Sequence, residues 1–533
     1  MKNNMRRDIG TFALTMTGIG SIIGSGWLFG AWKAAKLAGP SAIFAWAIGT
    51  IIILLIGLTF SELGSMFPEA GGMVRYGHYT HGSLVGFIAG WANWIAIVSV
   101  IPVEAEASAQ YLSSWNFDWA HKLYNGTELT APGLWIAAVL VVVYFLLNYF
   151  TVQLFARVNT AITIFKFIIP GLTIIGLLIA SFHGSNFTSH ETGGFMPFGW
   201  SGVFTAVATS GIVFAFNGFQ SPINMSGEAR NPKRSVPIAV IGSILIAGVI
   251  YILLQVTFIG SVKPSMIAHG WGNINLNSPF ADLAMAWGLN WLVLLLFADA
   301  FVSPSGTGMT YTATTARMIY GMEKNGYFPK VFGRVHPKLG IPRPAMWFNL
   351  VVSFIFLYLF RGWGSLSEII SVATVISYLI GPISVITLRR VGSNLDRPLR
   401  LKGIHILAPI AFIAGSMMLY WSRWPLTGEV IIVMLIGLPI YFYYQAKAKF
   451  KGFAKHFKAG LWVIVYLLWM MLVSFIGGKE FGGLGIIPAG WDYAVIAVSA
   501  LIFYVWGIKS GWKTPEIEEK ERESEESPQT NMM

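Results

Sequence analysis

Residues Thr17–Trp27 read TGIGSIIGSGW, and more than half of them are glycine or serine although the flanking sequence is apolar. Such runs bring backbone N–H groups close to anions. Phosphate loops do not fit, because a Walker loop ends in Gly-Lys-Ser/Thr and here Gly26 leads into Trp27. A dinucleotide fingerprint fails too: Gly18, Gly20 and Gly24 miss the third-glycine spacing, and no βαβ context surrounds them. Two readings remain. Small residues four apart, Gly20 with Gly24 and Ser21 with Ser25, let helices pack closely. Alternatively, Gly24-Ser25-Gly26 breaks a helix, and the half that follows offers free N–H groups and a positive dipole end to a carboxylate.

A second apolar segment is interrupted in the same manner. Phe214–Pro222 carries Asn217, Gly218, Gln220 and Pro222 within a hydrophobic stretch. Ionisable residues occur in other apolar segments: Lys166 in IFKFIIP, Glu104 and Glu106 in PVEAEASAQYL, and Asp299 four residues before Ser303 on one helical face. Each is either a structural partner or a working group. Glu104 and Glu106 are two apart and cannot share a helix face. HExxH and paired metal-ligand patterns are lacking, as is a nucleophile–base constellation, so neither metal nor cofactor chemistry nor an enzyme is expected.

These residues must be positioned by membrane helices. The chain has 533 residues, 55% hydrophobic and 11% charged, against about 25% charged in soluble domains. A spanning helix needs about 20 apolar residues. Fourteen candidates follow: 12–37, 42–66, 84–113, 133–151, 157–182, 202–226, 236–262, 279–316, 345–361, 366–388, 405–422, 427–445, 461–476 and 490–508. With the N-terminus in the cytoplasm, inside segments hold 28 Lys and Arg and outside segments 7, and Lys166 lies within a span. The net charge of +12 thus reports topology rather than nucleic-acid binding. No cleavable signal peptide is visible. Without cysteine there is no disulfide or thiol chemistry. The acidic tail is expected to be disordered. Two sequons, at Asn125 and Asn186, fall in outside loops.

The interrupted segments are spans one and six, which run in opposite directions. Matching interruptions in two inverted halves point to the central site of a transporter. Lys166 lies about 9 residues into span five, or about 13 Å from the cytoplasmic face at 1.5 Å per residue. Gly18–Gly20 and Ser303–Thr307 come to a similar depth. Snorkelling to water is the plain alternative, but at that depth the side chain would have to bend far back, and an intramembrane lysine is by default a functional candidate.

Gly20–Trp27 resembles the first-helix signature of the amino acid–polyamine–organocation superfamily. Ser61–Gly72, Gly227–Pro237 and Arg317–Pro344 are similar to that superfamily's segments after helices two, six and eight. The resemblance covers about residues 8–445, and SGWLFGAWKAAKLAGP is most similar to prokaryotic aspartate–proton symporter-like proteins. It implies an all-α polytopic membrane protein of the leucine-transporter type. Residues 12–182 and 202–388 would be inverted repeats, with added helices over 405–508. Segment 1–11 and an acidic, disordered tail over 509–533 would both be cytoplasmic, at the plasma membrane. It implies that Gly24, Ser25 and Gly26 hold a substrate carboxylate. Carbonyls of Ile19, Gly20, Phe214, Ala215 and Asn217 take the ammonium. Ile23, Phe216, Gly218 and Gln220 complete the site, although Phe216 and Phe219 read equally as packing. Lys166 resembles a helix-five lysine that stands in place of a sodium ion and carries a proton. Glu104, Asp299, Ser303 and Thr307 are auxiliary candidates.

The expected function is proton-coupled uptake of an amino acid across the bilayer, an acidic one by subgroup resemblance. An exchanger or neutral amino acid transporter, and a non-transporting sensor, are the alternatives.

Overall fold

A chain this apolar has to satisfy its backbone internally, and helices do so within each segment. The computed structural model describes residues 9–68, 72–150, 152–336, 341–488 and 490–526. Among them are eleven helices long and apolar enough to cross a membrane, and no strand beyond two isolated bridges. The first eight residues, the last seven and parts of two family-like segments, 69–71 and 337–340, lie outside the described residues.

Helix α1 (Thr11–Ile22) and α2 (Gly26–Ala38) are separated by a break at 23–25, and α3 (Ala42–Met66) and the amphipathic α4 (Gly72–His81) follow. Next come α5 (Ser83–Val98), α6 (Val100–Leu112), α7 (Ala131–Phe150) and α8 (Val152–Ala180). The second interrupted segment is α9 (Gly199–Thr209), α10 (Ile212–Ala215) and α11 (Ser221–Asn224). Beyond it lie α12 (Pro232–Ser261), α13 (Pro279–Ala286), α14 (Asn290–Lys324), α15 (Arg343–Leu359), α16 (Trp363–Tyr378) and α17 (Ile380–Val391). The last helices are α18 (Ile404–Trp421), α19 (Leu426–Ile436), α20 (Leu438–Lys447), α21 (Phe453–Ile476), α22 (Trp491–Ser510) and α23 (Pro515–Glu526).

Burial separates centre from rim. The apolar stretch of Ser83–Leu112 is buried throughout, whereas that of Ala131–Phe150 is only 33% buried. On α8, Ile164, Ile168, Ile175 and Ile179 form one exposed apolar stripe, while Lys166 on the other face is buried. α12 packs along α3 and α1, and α14 along α6 and α8. Pro304 inside α14 has no N–H for the Ala300 carbonyl. Ser108 Oγ of α6 donates to that carbonyl at 2.7 Å, which ties the two helices together. Glu62 is loop-anchoring: Arg389 holds it in a fork at 2.8 and 2.7 Å, and it also accepts from the Leu401 N–H.

Two expectations need correction. The eighth span, read as 279–316, is two helices, because Gly288 turns the chain at φ +70°. The acidic tail is helical over Pro515–Glu526. Thr514 precedes Pro515 and first-turn acids, a helix-start pattern, and Ile517 supplies an apolar anchor that is fully buried. Thr514 Oγ1 donates to the Tyr79 carbonyl, and the Trp512 N–H to that of Thr80. Glu516 meets His78 Nε2 at 3.0 Å, while His78 Nδ1 pairs with the Tyr327 hydroxyl. Partial burial pushes the Glu516 carboxyl up, but the hydrogen bond and charge of His78 outweigh it and hold it at about 2.

The Glu516 pKa lies below its ordinary value, so its contribution to docking is complete above the carboxylate range and is lost as pH falls towards 2. At neutral pH, His78→Ala removes the partner directly. Amide hydrogen exchange across 515–526 should then speed up several-fold, with 491–510 unchanged.

Candidate functional site

The two interrupted segments meet back to back. Gly218, at φ +128°, lies so close to α1 that a Cβ there would sit 2.6 Å from the Ser21 carbonyl carbon. A Cβ on Gly26 would sit 2.9 Å from the Ala215 Cα. Glycine is required at both places because backbone faces backbone. Tyr251 of α12 spans the gap. Its hydroxyl lies 3.2 Å from the Ile22 carbonyl and 3.0 Å from that of Ala215, and shares one proton between two helix C-terminal groups.

The start of α2 is also occupied. The Ser25 N–H donates to Glu104 Oε2 at 2.9 Å, and Trp363 Nε1 donates to Ser25 Oγ at 2.8 Å. A Cβ on Gly24 would meet Glu104 Oε1 at 2.6 Å and Thr307 Oγ1 at 3.0 Å. A buried carboxylate thus faces the positive end of α2, where the resemblance expects an anion.

Lys166 reaches the opposite side of the same break. Its Nζ donates to the Gly20 carbonyl at 2.9 Å and to Thr307 Oγ1 at 2.7 Å. Gly306 lets the side chain lie across α14. The lysine is 2% exposed and does not snorkel. Ser303 Oγ donates to Asp299 Oδ1 at 2.5 Å, one turn away on that face. Glu106, on the far face of α6, is buried, and neither of its carboxylate oxygens has a hydrogen-bond partner among the described residues.

Between the breaks lies a cavity of about 10 Å³, roughly one water molecule. It is lined from α1 by Ser21 and Ile22, from the break by Gly24 and Gly26, and from α6 by Val100 and Glu104. Phe214, Asn217, Thr307 and Tyr311 close it. Other expected members stand apart. Phe216 packs on Tyr251 and Trp46, and Phe219 on Tyr378, so the packing reading fits both. Gln220 supports Asn217 from behind. The Ile19, Gly20, Phe214 and Ala215 carbonyls already accept from Ile23 N–H, Lys166, Asn217 N–H and Tyr251. Each keeps at most one further lone pair for an ammonium.

Sequence reasoning missed Tyr251, Tyr311, Trp363 and Tyr378. One signal was available: Asp299, Ser303, Thr307 and Tyr311 recur every four residues, a polar stripe along α14. A lone tyrosine in an apolar span, such as Tyr251, gives no such pattern.

The family model described as amino acid permease matches residues 9–447. The chain is 65% identical over 516 residues to the glutamate/serine transporter AimA of Bacillus subtilis (strain 168), covering 96% of this chain and 95% of that one. It is 38% identical over 518 residues to the aspartate-proton symporter of the same organism, covering 96% and 98%. It is 30% identical over 404 residues to human cationic amino acid transporter 4, covering 73% and 61%.

Tyr251→Phe takes the tyrosine donor from two buried carbonyls and leaves that of Ile22 with the Gly24 N–H at 3.1 Å, which should cost about 1–3 kcal/mol. The check is thermal unfolding of the purified protein in detergent, where the midpoint should fall. Gly171→Ala, at a glycine with open space around it, should leave it unchanged.

Proposed function

The chain belongs to the amino acid permease family, and from that premise we propose that it is a proton-coupled importer of amino acids, acidic ones among them. It is a multi-pass membrane protein, and its family and its relatives are transporters, not enzymes. In this reading the chain crosses the plasma membrane fourteen times with both termini in the cytoplasm. Residues 12–182 and 202–388 form the inverted repeats, and alternating access rocks around the two breaks. The excess of Lys and Arg on the inside segments supports that orientation.

The observation that carries proton coupling is the Lys166 ammonium, bonded to the Gly20 carbonyl at the end of α1 and to Thr307 of α14. A helix C-terminus favours a cation, and a buried charge is held only while its partners stay in place. Loss of the proton removes the charge that joins α8, α1 and α14. Protonation thereby alternates between a locked and a loosened first break.

Glu104 supplies the second half. Its carboxylate takes the Ser25 N–H, the donor that the backbone carboxylate of a substrate would use. Two carboxylates cannot both ionise side by side in a buried site. Arrival of substrate therefore drives Glu104 to yield its place or take up a proton. The cavity, with room for about one water, fits a closed state that opens as these contacts exchange.

The names of two relatives, a glutamate/serine transporter and an aspartate-proton symporter, support an acidic substrate. The first also favours admission of a small neutral amino acid.

Uptake of radiolabelled aspartate, glutamate and serine into proteoliposomes tests the reading. An inward proton gradient should drive uptake above equilibrium, and its removal should abolish the overshoot. Lys166→Ala should lose accumulation by tenfold or more, on the order of one pKa unit's worth of coupling or above. Unchanged accumulation in that variant would exclude the lysine as the proton carrier.

A further inference from the structure

Two hydrogen-bond donors line the central cavity without a partner. Asn217 and Tyr311 are 3% and 2% exposed. Among the described residues, neither the Nδ2 of Asn217 nor the hydroxyl of Tyr311 finds an acceptor. Buried polar groups are nearly always paired, and each exception calls for an explanation.

A relay of bonds fixes which end of the Asn217 amide is spare. The Gly218 N–H can only donate, so the Gln220 atom that it meets at 3.1 Å is the oxygen Oε1. Tyr378 donates to the same oxygen at 2.9 Å. Gln220 must then present Nε2 to Asn217, where it takes Oδ1 at 2.7 Å. The acceptor end of Asn217 is used, and its donor end is left for the cavity. Tyr311 approaches from α14, one turn beyond Thr307, which is itself bonded to Lys166.

We propose that Asn217 Nδ2 and the Tyr311 hydroxyl form the side-chain subsite of the transported amino acid, and that they select short side chains ending in a carboxylate or a hydroxyl. This rests on the reading of the cavity as the amino acid site. An ammonium finds no acceptor at Nδ2. An apolar side chain would leave both donors buried and dry, and a site built to hydrogen-bond rejects an analogue that cannot answer. A side-chain carboxylate gains charge-assisted bonds from both donors. A seryl hydroxyl gains a neutral one. Uncharged donors demand no counter-charge, so one subsite serves acidic and hydroxyl side chains alike without an arginine.

The test is counterflow in proteoliposomes preloaded with the same amino acid that is then offered labelled. Counterflow needs no proton gradient, so failure of proton coupling leaves this measurement intact. For the unaltered protein, glutamate and serine should exceed alanine and leucine at least about tenfold. Tyr311→Phe keeps the ring and removes only the hydroxyl. It should cut the serine-to-alanine and glutamate-to-alanine ratios by about tenfold. Asn217→Asp replaces the donor by an acceptor, and should weaken glutamate and admit 2,3-diaminopropionate, a short cationic side chain. Unchanged ratios in both variants would overturn the subsite while leaving amino acid transport standing. Equal loss for every amino acid in both variants, with the protein still monodisperse, would also overturn it. An unaltered protein that exchanges none of the amino acids would overturn the transport reading and the subsite together.

Discussion

Hydrocarbon offers no water to an unpaired backbone group, so a helix broken within the bilayer must find its partners in the protein. Two breaks that face each other raise that demand at one place. Here it is met by side chains from three other helices. Lys166 of α8 takes the Gly20 carbonyl, Tyr251 of α12 takes those of Ile22 and Ala215, and Glu104 of α6 takes the Ser25 N–H. Trp363 of α16 binds the Ser25 side chain. Neither break can change shape without releasing groups that are costly to leave unpaired. Movement at the centre is thereby bound to exchange of partners at titratable side chains.

Much of this was legible in the sequence. Apolar length marks the long helices, and glycine with polar residues at 17–27 and 214–222 marks where the helix fails. Lys166 reads as a central group from its depth alone, and the structure brings it to the glycine run and the SPSGTG segment of α14. What escaped has a common cause. Tyr251, Trp363 and Tyr378 act through a single polar atom at the end of an apolar body, and composition cannot tell such a residue from packing. Phe216 reads equally as a member of the site and as packing, and its ring packs on Tyr251. The side of a helix that a residue faces depends on neighbours far away in the chain. The tail fails differently. Its charge density suggests disorder, but the buried Ile517 and the Thr514 hydroxyl on the Tyr79 carbonyl hold it against α4.

Thr307 Oγ1 accepts from Lys166, and Thr307 Oγ1 and Glu104 Oε1 both close on the space beside Gly24. Lysine and glutamate thus address the two ends of the same break, the carbonyl end of α1 and the N–H end of α2. A cation belongs at the first and an anion at the second. A lone buried ion is expensive, so each group depends on the partners around it. A change of proton on either group therefore alters the field that the other feels at the break.

Glycine at this break does more than loosen a helix. Gly24 makes room for a carboxylate, Gly26 for the Ala215 backbone, and Gly20 for the Thr163 side chain at 2.9 Å from a would-be Cβ. Each removes a Cβ where a different neighbour presses in, so the run serves three contacts and not one. In TGIGSIIGSGW the helix breaks between Ile22 and Gly26, and neighbours approach closely at Gly20 and Gly26. Close packing holds the ends of the break against their neighbours, and the break supplies the N–H and carbonyl groups that those neighbours grip. An alanine at Gly24 would relieve none of the polar demand and would push away Glu104, the side chain that meets it.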